Sequence, residues 1–188
     1  MKSVDQISKI KAVVLYILQH FKDGVDYIKL FKIMYFAQRE YLATYGLTMI
    51  EDTFKARPRG PVPALTYKVV KMAEEGNPEK SDLSPFISAL RVDDNQMIYG
   101  VETPDMDYIA EMEKSELDTV IAKYAGMDSD ALSELSHDSA YKKVELLVKD
   151  DPQKDVMTLI DIARAGGASK EMVSHIREVQ LVKAALAS

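Results

Sequence analysis

The sequence predicts a single α+β domain that is predominantly helical and carries a small antiparallel sheet. Apolar residues recur at intervals of three and four along most of the chain, as they do on the buried face of a helix. Between these stretches lie short alternating or apolar runs bounded by turn residues, which favour strands. The length of 188 residues suits one buried core, because domains most often hold roughly 100–150 residues.

Two helices are predicted at the start of the chain. Ser3 and Gln6 have the spacing of a capping box, and the apolar stripe that follows predicts a helix ended by Asp23–Gly24. A second helix is expected to begin near Asp26. Gly46 supplies the residue type that commonly ends a helix in the left-handed conformation.

The middle of the chain predicts the sheet. Thr53–Arg57 alternates apolar with polar residues and is followed by proline, which favours a short strand near a sheet edge. Pro63 suits the first turn of a third helix, and Glu74–Pro78 is expected to end that helix. Two apolar runs, Ala89–Val92 and Met97–Val101, flank turn residues and predict a hairpin that pairs with the first strand.

The second half of the chain is predicted to be helical. Leucine, valine and isoleucine recur there at helical spacing, and glycine or proline separates the segments. The predicted helices are Ser115 to Gly126, Ser129–His137, Tyr141–Val148, Val156–Ala165 and Ser169 to about Ala185.

Composition removes several classes of function. Cysteine is absent, which excludes disulfides, thiolate metal ligands and cysteine nucleophiles. The histidines fall in different elements, and His137 with Glu134 and Asp138 makes only an incomplete zinc site. We therefore predict no metal and no cofactor.

Charge and hydropathy indicate the compartment. The net charge of −6 argues against nonspecific binding to nucleic acid or to anionic membranes. No apolar run approaches the roughly 20 residues that span a bilayer, and the first residues do not resemble a signal peptide. We therefore expect a cytoplasmic protein.

Three segments in order carry a resemblance to a known family. They are the helix Leu30–Gln38, the run Gly60–Pro63, and Leu132–His137 followed by Tyr141–Val144. This order resembles the Panacea domain of SocA-like antitoxins and phage-associated GepA-like proteins. Two positions depart from the pattern: Arg59 stands where members commonly have an aromatic residue, and Tyr141 where tryptophan is frequent. The matching positions are Leu30, Lys32, Tyr35, Phe36, Gly60, Pro61, Val62, Leu132, Leu135, His137 and Tyr141.

The resemblance implies that the chain functions by binding another protein. It implies a Panacea-like domain over residues 1–150, with residues 151–188 as a C-terminal helical extension packed on the same domain. The resemblance further implies that the domain neutralises a cognate toxin encoded next to it, by direct contact in a toxin–antitoxin or phage-defence module, and that it is not an enzyme. The alternative is a proteolytic adaptor or phage-associated regulatory protein that delivers its partner to a protease. Formation of a homo-oligomer is left as an open alternative.

A basic stretch suggests where the partner binds. Residues 55–71 contain five cations and no acid, whereas residues 102–118 are rich in acids. The basic stretch suits an acidic partner or a phosphate, and folding could bring it against the acidic one. An enzyme that hydrolyses a phosphorylated or ADP-ribosylated group through Arg57, Arg59, Glu134 and His137 is the weakest alternative, and no recognition helix for DNA is evident. The expected partner-binding residues are Tyr35, Tyr41, Lys55, Arg57, Arg59, Gly60, Pro61, Val62 and Lys68.

Overall fold

Helices make up most of the chain that this computed structural model describes, residues 2–76 and 81–186. The helices are α1 Val4–Leu18, α2 Tyr27–Tyr45, α3 Ala64–Glu74, α4 Ser84–Ser88, α5 Glu111–Tyr124, α6 Ser129–Leu135, α7 Ser139–Asp150, α8 Leu159–Ala165 and α9 Lys170–Leu186. The strands are β1 Val25–Asp26, β2 Phe54–Arg57, β3 Gly60–Pro63, β4 Leu90–Val92 and β5 Met97–Gly100. The predicted α+β class with a predominance of helix is confirmed.

The strands form two small antiparallel sheets rather than one. One sheet has the order β1-β5-β4, and β2 pairs with β3 in the other. The predicted hairpin of β4 and β5 is confirmed, but its expected pairing with the strand at Phe54 is wrong. Instead β2 turns back on itself through Pro58 and Arg59, with Arg57 opposite Gly60. This local closure is favoured because a short loop loses less entropy than a long one.

Helix α2 is the centre of the molecule. It contacts α1, α5, α6, α8 and β3, so helices and a strand cover most of its circumference. Its side chains are buried from Leu30 to Gln38 without a break. Ring contacts anchor it on two sides, since Phe36 stacks on Tyr124 at 4.3 Å between ring centroids and Tyr35 meets Phe54 edge-on at 5.5 Å.

The predicted helix ends are confirmed where a capping side chain or a glycine determines the end of the helix. Ser3 and Gln6 form the capping box of α1, and the Asp26 carboxylate caps α2 at Lys29. Gly46 ends α2 with a φ of 69°. Other ends differ from the prediction. Helix α1 stops at Leu18 because tight turns take over before Gly24, α5 begins at Glu111, where the carboxylate of Glu113 accepts the Ala110 amide, and α8 begins at Leu159 rather than Val156.

The start of α3 is held by a residue that lies well before it. Pro63 was predicted in the first turn of α3, but it ends β3 and is the N-cap residue just before the helix, and it offers no capping side chain. Asp52 supplies that function, because its buried carboxylate accepts the Leu65 and Thr66 amides at 2.9 and 3.0 Å. At the other end α3 stops at Glu74, while Asn77 and Pro78 of the predicted stop lie outside the described residues.

Residues after 150 pack against the rest of the chain. The Ala56 amide donates to the Asp155 carbonyl at 2.7 Å, and the Met157 amide donates to the Phe54 carbonyl at 2.9 Å. This segment therefore lines the outer edge of β2, while α8 packs against α2 and α7, and α9 packs against α8. The division of the chain at residue 150 stays a prediction. Among the described residues, no helix has the length and apolar character needed to cross a membrane.

Candidate functional site

The three sequence segments that resemble the family meet at the β2–β3 hairpin. The Lys32 ammonium donates to the Pro61 carbonyl at 2.9 Å. The Ser133 hydroxyl donates to the Arg59 carbonyl at 2.9 Å, and the Tyr141 hydroxyl donates to the Arg57 carbonyl, also at 2.9 Å. Side chains from α2, α6 and α7 thus bind backbone carbonyls of one turn and fix its position.

Gly60 lets the hairpin approach these helices closely. Its φ is 97°, in the region that side-chain-bearing residues rarely adopt. A Cβ atom at this position would lie 2.2 Å from the Ser136 hydroxyl and 3.0 Å from the Lys32 side chain. Only glycine therefore fits the turn without a shift of its neighbours.

Asp138 joins α2 to the start of α7. One carboxylate oxygen accepts the Ala140 and Tyr141 amides and so caps α7. The other accepts the Tyr35 hydroxyl at 2.8 Å and the Arg39 guanidinium at 2.9 Å. Burial and this carboxylate raise the pKa of the Tyr35 hydroxyl, so Tyr35 acts as a neutral donor.

His137 lies next to this network. Its ring stacks on Tyr141 with 4.3 Å between centroids and 10° between planes. Within the described part of the chain, its buried Nε2 atom has no hydrogen-bond partner. The Tyr141 hydroxyl therefore reaches the hairpin from a ring that is held in place by the imidazole.

Lys32 is a buried cation without an acidic partner. Only 1% of its surface is exposed, and the described residues give it the Pro61 carbonyl but no ion pair. Burial, together with the nearby positive charge of Arg59, lowers the pKa of its ammonium to about 7.

The hairpin borders an open cavity of about 440 Å³, which we call the hairpin cavity. Aromatic rings form one wall, where Phe31 lies edge-on to Tyr67 at 6.1 Å and next to Tyr27 at 6.0 Å. Cationic side chains form the opposite rim. The lining residues are Tyr27, Ile28, Phe31, Lys32, Arg57, Pro58, Arg59, Val62 and Tyr67.

The structure brings three of the predicted partner-binding side chains together at this cavity. Arg57 and Arg59 expose about half of their side chains (51% and 52%) and lie on its rim with the half-buried Val62. Lys55 is also partly exposed and pairs with Asp155. Lys68 is exposed on α3 but does not line the cavity.

The expected accessibility of the other predicted residues is wrong. Tyr35 and Tyr41 were expected at the edge of the aromatic helix, yet 0% and 3% of their surfaces are exposed. The reason is that α2 is packed by other elements along its length, α5 included. Gly60 and Pro61 are buried as well, because the turn is pressed against Lys32 and Ser136. Gly60 and Pro61 therefore shape the surface from beneath, whereas the Tyr41 ring packs on Tyr45.

The remaining family positions divide between core and surface. Leu30, Phe36 and Leu132 are fully buried, and Tyr141 is buried with its hydroxyl on the hairpin. Leu135 is exposed on α6. The roles of Leu30, Phe36 and Leu132 are therefore in packing.

The acidic stretch of the sequence does not meet the basic one. Lys9 pairs with Glu113, and Lys11 pairs with Glu102, so these two acids of residues 102–118 face α1. The acids that do approach the hairpin are Asp155, which pairs with Arg57 at 3.0 Å, and Asp130, which pairs with Arg59. The basic stretch therefore stays open on the side of the hairpin cavity.

The residues of the hydrolase alternative do not form a joint centre. Arg57 and Arg59 lie on the cavity rim, and the side chains of Glu134 and His137 share no hydrogen bond in the described residues. In the same part of the chain, no group of three or more histidine or acidic side chains is placed to hold a metal ion.

Sequence reasoning missed several residues of this site. Ser133 and Ser136 lie inside the Leu132–His137 segment, and their spacing of three on one helix face could have indicated a shared contact. Asp138 directly precedes a helix, which is the signal of an N-cap. Tyr67 gave no signal, because a single tyrosine on an amphipathic helix does not reveal which element it faces.

The fold and the site define a helical α+β domain that fixes a short hairpin beside an apolar, cation-rimmed cavity. Residues 30–142 match the family described as antitoxin SocA-like, Panacea domain. This match covers more than half of the chain, and the chain belongs to that family. No curated protein matches the chain. No solved structure matches it either.

Proposed function

We propose that this chain is an antitoxin that neutralises a cognate toxin by binding it directly, with the hairpin cavity and its rim as the contact surface. Membership of the SocA-like family supports a protein partner. The observation that carries the choice of surface is the convergence of the three family segments on the carbonyls of one turn.

A fixed turn suits recognition of another protein. Binding costs free energy when loops and side chains must be ordered, so a surface that is ordered beforehand binds more tightly. Here three side-chain hydrogen bonds hold the turn, and Gly60 and Pro61 limit its alternatives. Tyr67 adds a large aromatic side chain that is 43% exposed, a residue type enriched among the residues that dominate binding energy.

The proposed activity is stoichiometric rather than catalytic. Neutralisation by contact requires about one antitoxin for each toxin at saturation, whereas an enzyme that modifies the toxin would act at a small fraction of that amount. Titration of the purified toxin with this chain separates the two. Full protection at a small fraction of the toxin concentration would contradict the proposal.

Coexpression with the product of the adjacent gene tests the proposal in cells. We expect the neighbour alone to arrest growth, and coexpression of this chain to restore growth and to yield a complex on affinity purification. Tyr67→Ala should weaken both effects. Met112→Ala, which changes an exposed side chain on α5, is the matched control. Neither association nor rescue with the wild-type chain would refute the proposal.

The same cells distinguish neutralisation from delivery to a protease. If the chain only blocks the toxin, the half-life of the toxin is unchanged or longer when this chain is present. A half-life shortened by this chain would identify an adaptor instead.

A further inference from the structure

Positive charge exceeds negative charge around the hairpin cavity. Its rim and outer side carry three cations with partly exposed side chains, Lys55, Arg57 and Arg59. Asp155 serves two of them, with Lys55 at 3.2 Å and Arg57 at 3.0 Å. None of the residues that line the cavity is acidic. The surface is therefore complementary to a partner that brings negative charge.

Arg59 is the exposed cation with the weakest compensation. Arg59 pairs with Asp130, but the Arg59 side chain is 52% exposed and that of Asp130 is 87% exposed. Exposed pairs of this kind contribute little, since water competes for both charges. An incoming carboxylate can therefore replace Asp130 as the partner of Arg59.

The acids beyond Arg59 are already engaged. Asp26 accepts the Lys29 amide and the Ser129 hydroxyl, and Asp128 accepts the Ala131 amide. Both carboxylates cap helices, so their charge is directed at backbone donors. Asp130 is the acid that competes for Arg59 on this side of the cavity.

The apolar wall indicates the second property of the occupant. Phe31 and Tyr67 present their rings to a space of about 440 Å³, a volume within the range of about 300–1,000 Å³ that ligand pockets usually have. Burial of an apolar side chain there removes aromatic surface from water. A purely acidic segment would leave this wall uncovered.

Resting on the proposed function, we infer that the toxin segment bound in the hairpin cavity is acidic and carries a bulky apolar side chain. The apolar side chain packs on Tyr67 and Phe31, and a neighbouring carboxylate pairs with Arg59. Arg59 contributes to the hairpin through its carbonyl, which Ser133 binds. Its side chain is therefore available to the partner.

Variants with opposite expected effects test this inference. The dissociation constant of the complex with the toxin encoded by the adjacent gene is measured by calorimetry for each full-length variant. Arg59→Ala and Tyr67→Ala should each weaken binding about tenfold. Asp130→Ala should strengthen it by about two- to fivefold, because it removes the competitor for Arg59. Lys149→Ala, on the exposed side of α7, should leave the constant unchanged.

The outcomes separate this inference from the proposed function. A wild-type complex whose affinity is the same in Arg59→Ala, Tyr67→Ala and Asp130→Ala would overturn the inference and leave the antitoxin proposal standing. Absence of any wild-type complex, together with absence of rescue, would overturn both. Loss of self-association in Tyr67→Ala, measured by sedimentation without toxin, would assign the cavity to a second copy of this chain and overturn the inference. Thermal unfolding of each variant controls for folding.

Discussion

Burial of the Lys32 ammonium makes the free energy of unfolding depend on pH. Burial and Arg59 lower the pKa of this group from its ordinary value of 10.5 to about 7 in the folded state. Below pH 7 the folded and unfolded chains both hold the proton, and the cost of the buried charge is present in full. Between pH 7 and 10.5 the unfolded chain binds more protons, so the free energy of unfolding rises with pH.

The size of this effect follows from the shift. Each pH unit inside the window adds about 1.4 kcal/mol when the two states differ by one proton. Between about pH 7.5 and 9.5 the average difference is slightly less than one proton, so Lys32 should contribute an increase of about 2 kcal/mol. Other groups also titrate in this range, and the contribution of Lys32 is isolated by comparison with a variant.

Lys32→Met is the perturbation, and Lys149→Met is its control. Methionine keeps most of the side-chain volume and removes the charge, while the Pro61 carbonyl loses its donor at every pH. Urea unfolding followed by circular dichroism at about pH 7.5 and 9.5 gives the free energies. We expect the wild-type chain and Lys149→Met to gain about 2 kcal/mol more than Lys32→Met over this interval. Parallel changes in wild type and Lys32→Met would refute the assignment of the buried charge.

Five further substitutions test how the hairpin and the helix ends are held, each by urea unfolding. Gly60→Ala should lower the free energy of unfolding by about 3 kcal/mol. Adding Ser136→Ala in the same chain should relieve part of that loss, because it removes the hydroxyl that the new Cβ atom meets. Additive effects of the two substitutions would contradict the close approach of Gly60 to Ser136. Asp138→Ala should lower the free energy of unfolding by about 2–4 kcal/mol, because it removes a helix cap and a partly buried ion pair, whereas Tyr35→Phe should lower it by only about 1 kcal/mol. Asp52→Ala should cost about 2–3 kcal/mol, and a loss below 1 kcal/mol would exclude its role as the cap of α3.

Local signals in the sequence predicted most helix ends. The sequence did not predict which distant segments pair with each other. The capping box at Ser3 and the glycine at Gly46 act within a few residues, so the chain alone reveals them. The partner of the strand at Phe54 depends on which closure loses less entropy, and apolar runs do not encode that choice. The cap of α3 by Asp52 was missed because the carboxylate lies 13 positions before the amide that it binds.

The same distinction explains the site. Arg57 and Arg59 were found because a basic run is visible in the chain. Tyr35 and Tyr41 were misplaced because helical spacing shows which residues share a face but not how many faces are covered. Only the packing of α2 on several elements decides that both tyrosines are buried.

The way in which the hairpin is anchored separates its shape from its chemistry. Lys32, Ser133 and Tyr141 all bind backbone carbonyls, so the position of the turn does not depend on which side chains residues 57 and 59 carry. A different side chain at either position changes the charge of the rim without loosening the turn. This is consistent with Arg59 at a position where family members commonly have an aromatic residue. A scaffold of this kind can take different partners by substitution at the rim, while Gly60 and the residues beneath it must stay as they are.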